Sequence, residues 1–218
     1  QVDGINYYWE KNIKYTGNGF KRILNILLFS IKIFFKAKYY SETLNPDVVI
    51  ASSPHPFVIF GSKRLSVISG SKLFFEVRDL WPLTLLELSK VSCYNPFIVF
   101  MKLTEKYAYR TCDKTISLLP NAHEYMFANG LNKSKFIYLP NGVDVENWDD
   151  LSVNDSFVSL LDQEKKRGQF LVGYTGSHGP ANSLEHLIDA MNILRSESVS
   201  LFLIGRGSEK ENLQNKVV

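Results

Sequence analysis

Opposite charges interrupt an apolar run in FFEVRDLWP, residues 74–82. Phe74, Phe75 and Val77 read as the end of a buried strand, yet Glu76, Arg78 and Asp79 arrive within it or just past it. A parallel strand covered on both faces is nearly continuously apolar, so charges at its carboxyl end need a physical reason. Two are open: a ligand crevice, the common use of strand carboxyl ends in open α/β sheets, or a structural Arg–Asp pair closing the turn. Trp81-Pro82 then turns the chain, because proline fixes its own φ and biases the preceding residue toward extended backbone.

A second polar group ends another apolar run, PDVVIASSPHPF, residues 46–57. There Ser52, Ser53 and His55 put two hydroxyls and an imidazole where a sheet offers donors to a ligand. For His55 a purely structural role is equally open. Glycine-rich turns follow two later strands, with Gly173, Gly176 and Gly179 in GYTGSHG and with Gly205 and Gly207 flanking Arg206 in LIGRGSE. Such turns bring backbone N–H groups close to an anion, and the helix that follows adds its partial positive charge. His178 either supplies a further donor or stays solvated. An unhindered guanidinium at Arg206 can grip a phosphate through two bonds.

An alternation of strands and helices must hold these groups. Residues 21–40 have a helical pattern in which Arg22, Asn25, Lys32 and Lys36 fall on one stripe of an otherwise apolar helix. That stripe suits the headgroup boundary of an anionic membrane or, alternatively, the solvated side of a helix packed on a sheet. Pro56 opens a helix toward Ser69, and helices are expected over 83–88 and from Pro96. In the latter, Phe97, Met101, Thr104 and Ala108 are spaced for one buried face. Lys102, Glu105 and Lys106 lie off that face, with Glu105 set to pair with Tyr109. Strands follow at Lys114 and Phe136. Residues 145–168 turn acidic, with Asp149 and Asp150, and then basic, and read as a linker carrying one helix. Beyond them come a strand at 170–174, a helix with Leu184, Leu187, Ile188 and Met191 on one face, and a strand at 200–204. Repeated strand–turn–helix units imply a parallel α/β sheet.

Composition narrows the function classes. The 218 residues are 45% hydrophobic and 22% charged, an ordinary globular balance. A net charge of +3 is too small to suggest nucleic acid as a partner. Two cysteines, Cys93 and Cys112, stand in no metal-ligand or redox spacing. Nucleophile elbow, paired-histidine zinc motif, phosphate loop with its lysine and full dinucleotide fingerprint are all lacking. The start at Gln1 and the stop within a helical pattern suggest a fragment.

Taken together, YTGNG at 15–19, PDVVIASSPHPF, FFEVRDLWP, EKYAYR at 105–110, PNGVD at 140–144, GYTGSHG and LIGRGSE resemble the family 4 glycosyltransferases. The likeness is strongest to bacterial surface-polysaccharide enzymes of the fucosamine transferase kind. The resemblance implies an α/β fold of GT-B type: two Rossmann-like domains with parallel sheets, facing each other across a cleft, the second one incomplete. It places an acceptor-side domain at 1–144 and the first part of a nucleotide-sugar domain at 169–218. It also implies retaining, metal-independent transfer with no cofactor, from a nucleotide sugar to a lipid-linked saccharide at the cytoplasmic membrane face. Arg78 and Asp79 would be catalytic. Ser52, Ser53, His55 and Glu76 would line the acceptor side, and Gly176, His178, Gly179, Gly205, Arg206 and Gly207 the donor side. Arg78 stands where many relatives carry histidine, and arginine can only donate. The second-domain turn lacks the usual Arg and Lys, and the paired-glutamate donor motif is not found. Two alternatives stand beside this reading: a sugar-nucleotide epimerase of the same architecture, and a non-catalytic membrane-associated module held by Arg22, Lys32 and Lys36.

Overall fold

The computed structural model describes residues 2, 4–15, 19–53, 55–88, 91–143, 145 and 155–217. Sequence readings on Gly17, Asn18, Pro54, Ser89, Asp144, Asp149 and Asp150 lie outside the described residues, as does the side chain of Ser53. The chain divides into two compact units, Gln1–Gly142 and Val143–Val218.

The first unit opens with α1, Phe20–Leu44. Asn45 ends it in the left-handed region, φ 40°, where its amide donates to the Ser41 carbonyl. Asparagine tolerates this conformation better than most residues. Strands β1 (Val48–Ser53), β2 (Lys72–Val77), β3 (Lys114–Ser117) and β4 (Phe136–Tyr138) form one sheet in the order β1-β2-β3-β4, all parallel. Helix α2, Ile59–Ser69, links β1 to β2 and packs against α1. At their crossing a Cβ added to Gly61 would lie 2.8 Å from Ile33 Cγ2 and 2.9 Å from the Phe34 nitrogen, so only glycine lets the two backbones come this close.

Short α3, Leu83–Leu88, follows β2, and α4, Pro96–Thr111, returns to β3. Two local signals start α4: Pro96 in its first turn, and the Asn95 side chain, which accepts from the Phe97 amide at 2.9 Å. Helix α5, Ala122–Ala128, leads to β4. The core joins Val49, Ala51, Ile59, Leu73, Phe75 and Val77 to Ala108, Tyr109 and Met126. Val48 and Ile50, alternating with these in β1, are 45% and 56% exposed, so that strand shows solvent one of its faces.

In the second unit β5 (Phe170–Thr175) and β6 (Val199–Ile204) pair in parallel. Helices α7 (Glu185–Ile193) and α8 (Lys210–Val217) bury Leu184, Ile188 and Leu213 against Tyr174 and Leu203. Both units are Rossmann-like α/β, with parallel sheets and crossover helices. Helix α6, Asp155–Lys166, sits inside the stretch read as linker, yet it packs on this sheet. Phe157 meets the Phe202 ring edge-on at 6.1 Å, and the Ser200 hydroxyl donates to Glu164 at 3.2 Å.

Three helix-face readings need correction. Ile98, not Phe97, occupies the buried face of α4, and Phe97 is half-buried. Glu105, read as lying off that face, is only 3% exposed. Leu187, read as buried, is 37% exposed, because α7 turns only the Leu184–Ile188 line inward.

Candidate active site

Strand register sets the first unit's polar edge. Ser52 lies opposite Glu76 and Ser53 opposite Val77, Val77 opposite Ser117, and Ser117 opposite Tyr138. All four strands therefore end level, and the loops beyond them carry His55, Arg78 and Asp79 along one carboxyl edge. Ser52 is exposed and Glu76 half-buried. Arg78 and Asp79 are exposed immediately after buried Val77, with the Asp79 carbonyl accepting from the Trp81 amide at 3.0 Å. Pro82, after a cis Trp81–Pro82 bond, is fully buried and anchors this turn.

His55 precedes a short 3-10 turn, Pro56–Val58, and is buried, with its ring 5.9 Å from that of Phe57. Burial first, and the positive charge of Arg22 second, lower its pKa to about 4. Its imidazole is therefore neutral at pH 7, able to donate from one nitrogen and accept at the other.

Behind this edge lies a group that the sequence reading placed on the wrong side of its helix. The Glu105 carboxylate accepts from Tyr109 Oη at 2.9 Å and from Tyr125 Oη at 3.1 Å. Burial outweighs these two hydrogen bonds and raises its pKa to about 7. Both phenols are pushed up as well, by burial first and then by the Glu105 charge. Glu105, Tyr109, Phe75, His55, Asp79 and Trp81 all line one cavity of about 10 Å³, room for roughly one water. A signal for Glu105 existed: Ile98, Met101, Glu105 and Ala108 follow helical spacing, and the acid's charge concealed it.

The second unit's candidates fall into two turns that lock together. Gly176 N–H donates to the Ile204 carbonyl at 3.0 Å, His178 N–H to the Arg206 carbonyl at 2.9 Å, and Glu209 N–H to the His178 carbonyl at 2.9 Å. A Cβ on Gly205 would lie 1.8 Å from the Gly176 carbonyl oxygen, and one on Gly207 2.2 Å from that of His178. Turn-on-turn packing thus requires glycine at both positions, a physical reason that stands beside a phosphate cradle. Neither is His178 a solvated loop residue: it is 3% exposed, and its ring lies 6.3 Å from that of Tyr174. It lines a cavity of about 400 Å³ with Ile188, Leu203, Lys210 and Leu213. Arg206 and Gly176 are exposed and Gly179 is half-buried.

The stripe on α1 is already occupied. Lys36 Nζ pairs with the Glu10 carboxylate at 2.7 Å, and Lys32 Nζ donates to the Lys11 carbonyl. Asn25 Nδ2 donates to the Ile13 carbonyl at 2.5 Å, and Asn12 Nδ2 to the Asn25 carbonyl at 2.8 Å. Tyr40 Oη donates to Glu10 as well. Instead of presenting free amines, the stripe seats the N-terminal segment 10–13.

No family model matches the chain. It is 21% identical over 196 residues to WcaI of Escherichia coli K12, a protein named as a candidate colanic acid biosynthesis glycosyl transferase. The match covers 89% of this chain and 48% of WcaI, so the chain spans about half the length of that curated relative. Among solved structures, Anabaena HepE in complex with UDP superposes with a TM-score of 0.61 at 17% identity, covering 89% of this chain and 50% of HepE. HepE in complex with UDP-glucose gives 0.58, also at 17%, over 86% and 47% of the two chains. In fold, therefore, the chain is similar to HepE, and in sequence it is weakly similar to WcaI.

Proposed function

We propose that this chain forms part of a retaining, metal-independent glycosyltransferase. The enzyme moves a sugar from a nucleotide sugar to a polyprenyl-diphosphate-linked saccharide at the inner face of the plasma membrane, in surface-polysaccharide biosynthesis. The observation that carries the reading is the level carboxyl edge of the first sheet, where Ser52 and Glu76 pair in register and His55 and Asp79 share one cavity wall. Strand ends of this kind are where α/β sheets bind ligands. HepE, which shares the fold, was solved with UDP-glucose, and WcaI carries a glycosyl transferase name.

In this reading Ser52, Ser53, His55 and Glu76 hold acceptor hydroxyls, with His55 neutral and acting as a hydrogen-bond partner. Asp79 accepts from the substrate, and Arg78, permanently charged, stabilises developing negative charge. On the donor side Arg206 supplies the diphosphate's cationic partner, beside the backbone of Gly176 and Gly179. Titrating uridine and guanosine diphosphates into the protein tests that assignment. Saturable binding that is lost in Arg206→Ala supports it, and no binding of either nucleotide overturns it. Nucleotide release that depends on adding a lipid-linked acceptor tests the transfer step, whereas donor turnover without acceptor would point to epimerisation.

A further inference from the structure

Because segment 10–13 covers the Lys32–Lys36 stripe, the solvent-facing side of α1 is a different one. Leu24, Leu28, Ile31, Phe35 and Tyr39 follow one another at four, three, four and four residues, a continuous line on a helix. Leu24, Ile31, Phe35 and Tyr39 are 38%, 49%, 72% and 55% exposed. This line lies opposite Ser30, Ala37 and Ser41, the buried face of the helix. Aromatics lead into the seated segment: Tyr7 and Trp9 stack at 6.3 Å, Trp9 is 89% exposed, and Tyr8 meets Tyr40 edge-on at 6.2 Å, which in turn meets Tyr39 of the line at 5.3 Å.

We infer that this apolar line and the aromatic segment form the lipid-contact surface, and that the Lys32–Lys36 stripe acts as the clip that holds the segment in place. Charge decides the occupant. Helix α1 and the seated segment together carry Lys11, Lys14, Lys21, Arg22, Lys32, Lys36 and Lys38 against two acids, Glu10 and Glu42, which pair with Lys36 and Lys38, so a cationic excess remains at the rim. A cationic rim around an exposed apolar face complements an anionic lipid surface and would repel a second copy of itself. Tryptophan and tyrosine favour that boundary because one end of each ring is polar. Among the described residues no helix is long and apolar enough to cross the membrane, so α1 would lie along the surface. At 1.5 Å per residue its 25 residues span about 37 Å.

This surface supplies the membrane partner of the reading above, but its test measures vesicle binding alone and so fails or succeeds independently of sugar transfer. The chain is co-sedimented with phosphatidylcholine vesicles, with and without phosphatidylglycerol as about a third of the lipid. The wild type is expected to bind the anionic vesicles with a blue shift of tryptophan emission that Trp9→Ala removes. Paired Ile31→Ser and Phe35→Ser changes, neutral and at exposed positions, should cut partitioning about tenfold or more. Ile193→Ser, at a residue 81% exposed on the second unit, should leave it unchanged. Tyr40→Phe, which loosens the clip without changing charge, should lower binding severalfold. Wild-type binding that the paired change does not weaken, equal binding to neutral vesicles, or no vesicle binding at all would overturn the inference. So would a dimer, seen by light scattering, that the paired change dissolves.

Discussion

Replacing Glu105 by glutamine tests the buried carboxyl directly. The side chain is 3% exposed, and its pKa is raised from 4.5 to about 7. Burial raises it, while the hydrogen bonds from Tyr109 and Tyr125, followed by the charges of Lys106 and Lys102, pull it back only in part. Because the folded protein holds this proton more tightly than the unfolded chain does, the group's contribution to stability is complete below pH 4.5. It is lost as pH rises toward 7. At about 1.4 kcal/mol for each pH unit, the full loss is about 3 kcal/mol above pH 7, and about 1 kcal/mol is already lost at pH 5. Glutamine keeps the shape and cannot ionise. Glu105→Gln should therefore gain about 2 kcal/mol on wild type between pH 5 and pH 8, whatever constant packing cost the amide adds. Urea unfolding of both proteins at the two pH values, followed by far-ultraviolet circular dichroism, measures this difference. Parallel stability curves would refute the claim that an ionisable carboxyl is held dry behind the first sheet's edge.

Other outcomes follow from close backbone contacts and from the clip on α1. Gly205→Ala or Gly207→Ala forces a Cβ to within 1.8 Å or 2.2 Å of a carbonyl oxygen. Each should destabilise the second unit by about 1–3 kcal/mol or more in urea unfolding, whereas Gly173→Ala, with nothing within 4 Å of its added Cβ, should be nearly neutral. Gly61→Ala should cost about 1–3 kcal/mol by prising α2 from α1, visible as a lower thermal midpoint. The Glu10 pKa is lowered by its hydrogen bonds with Lys36 and Tyr40. The clip's contribution is therefore present above the ordinary carboxylate range and disappears as pH falls through the lowered value. Protection of the amides over 10–13, taken as exchange relative to the intrinsic rate at each pH, should accordingly fall at acid pH, and Glu10→Gln should show the low protection already at pH 7.

Local chemistry made much of the fold readable from the chain alone. Strand carboxyl ends show where apolar runs break into Ser52–His55 and Arg78–Asp79, since such breaks depend only on neighbouring residues. Helix starts at Pro56 and Pro96 follow from a fixed φ and a missing N–H, and parallel pairing follows from the strand–helix alternation. What periodicity does not carry is which side of a helix another element will cover. Glu105 lies on the line of Ile98 and Met101, and its buried carboxyl takes a hydrogen bond from Tyr109 on its own helix and a second one, which periodicity does not show, from Tyr125, 20 residues away. The Lys32–Lys36 stripe has the same charge whether it meets lipid or protein, and the tertiary structure gave it Glu10 and the Lys11 carbonyl. Gly205 and Gly207 look alike in a phosphate loop and in a crowded turn, and only the tertiary structure shows Gly176 and His178 folded back against them. Residue types determined which groups sit at strand ends; long-range packing decided which of them are dry, paired or open.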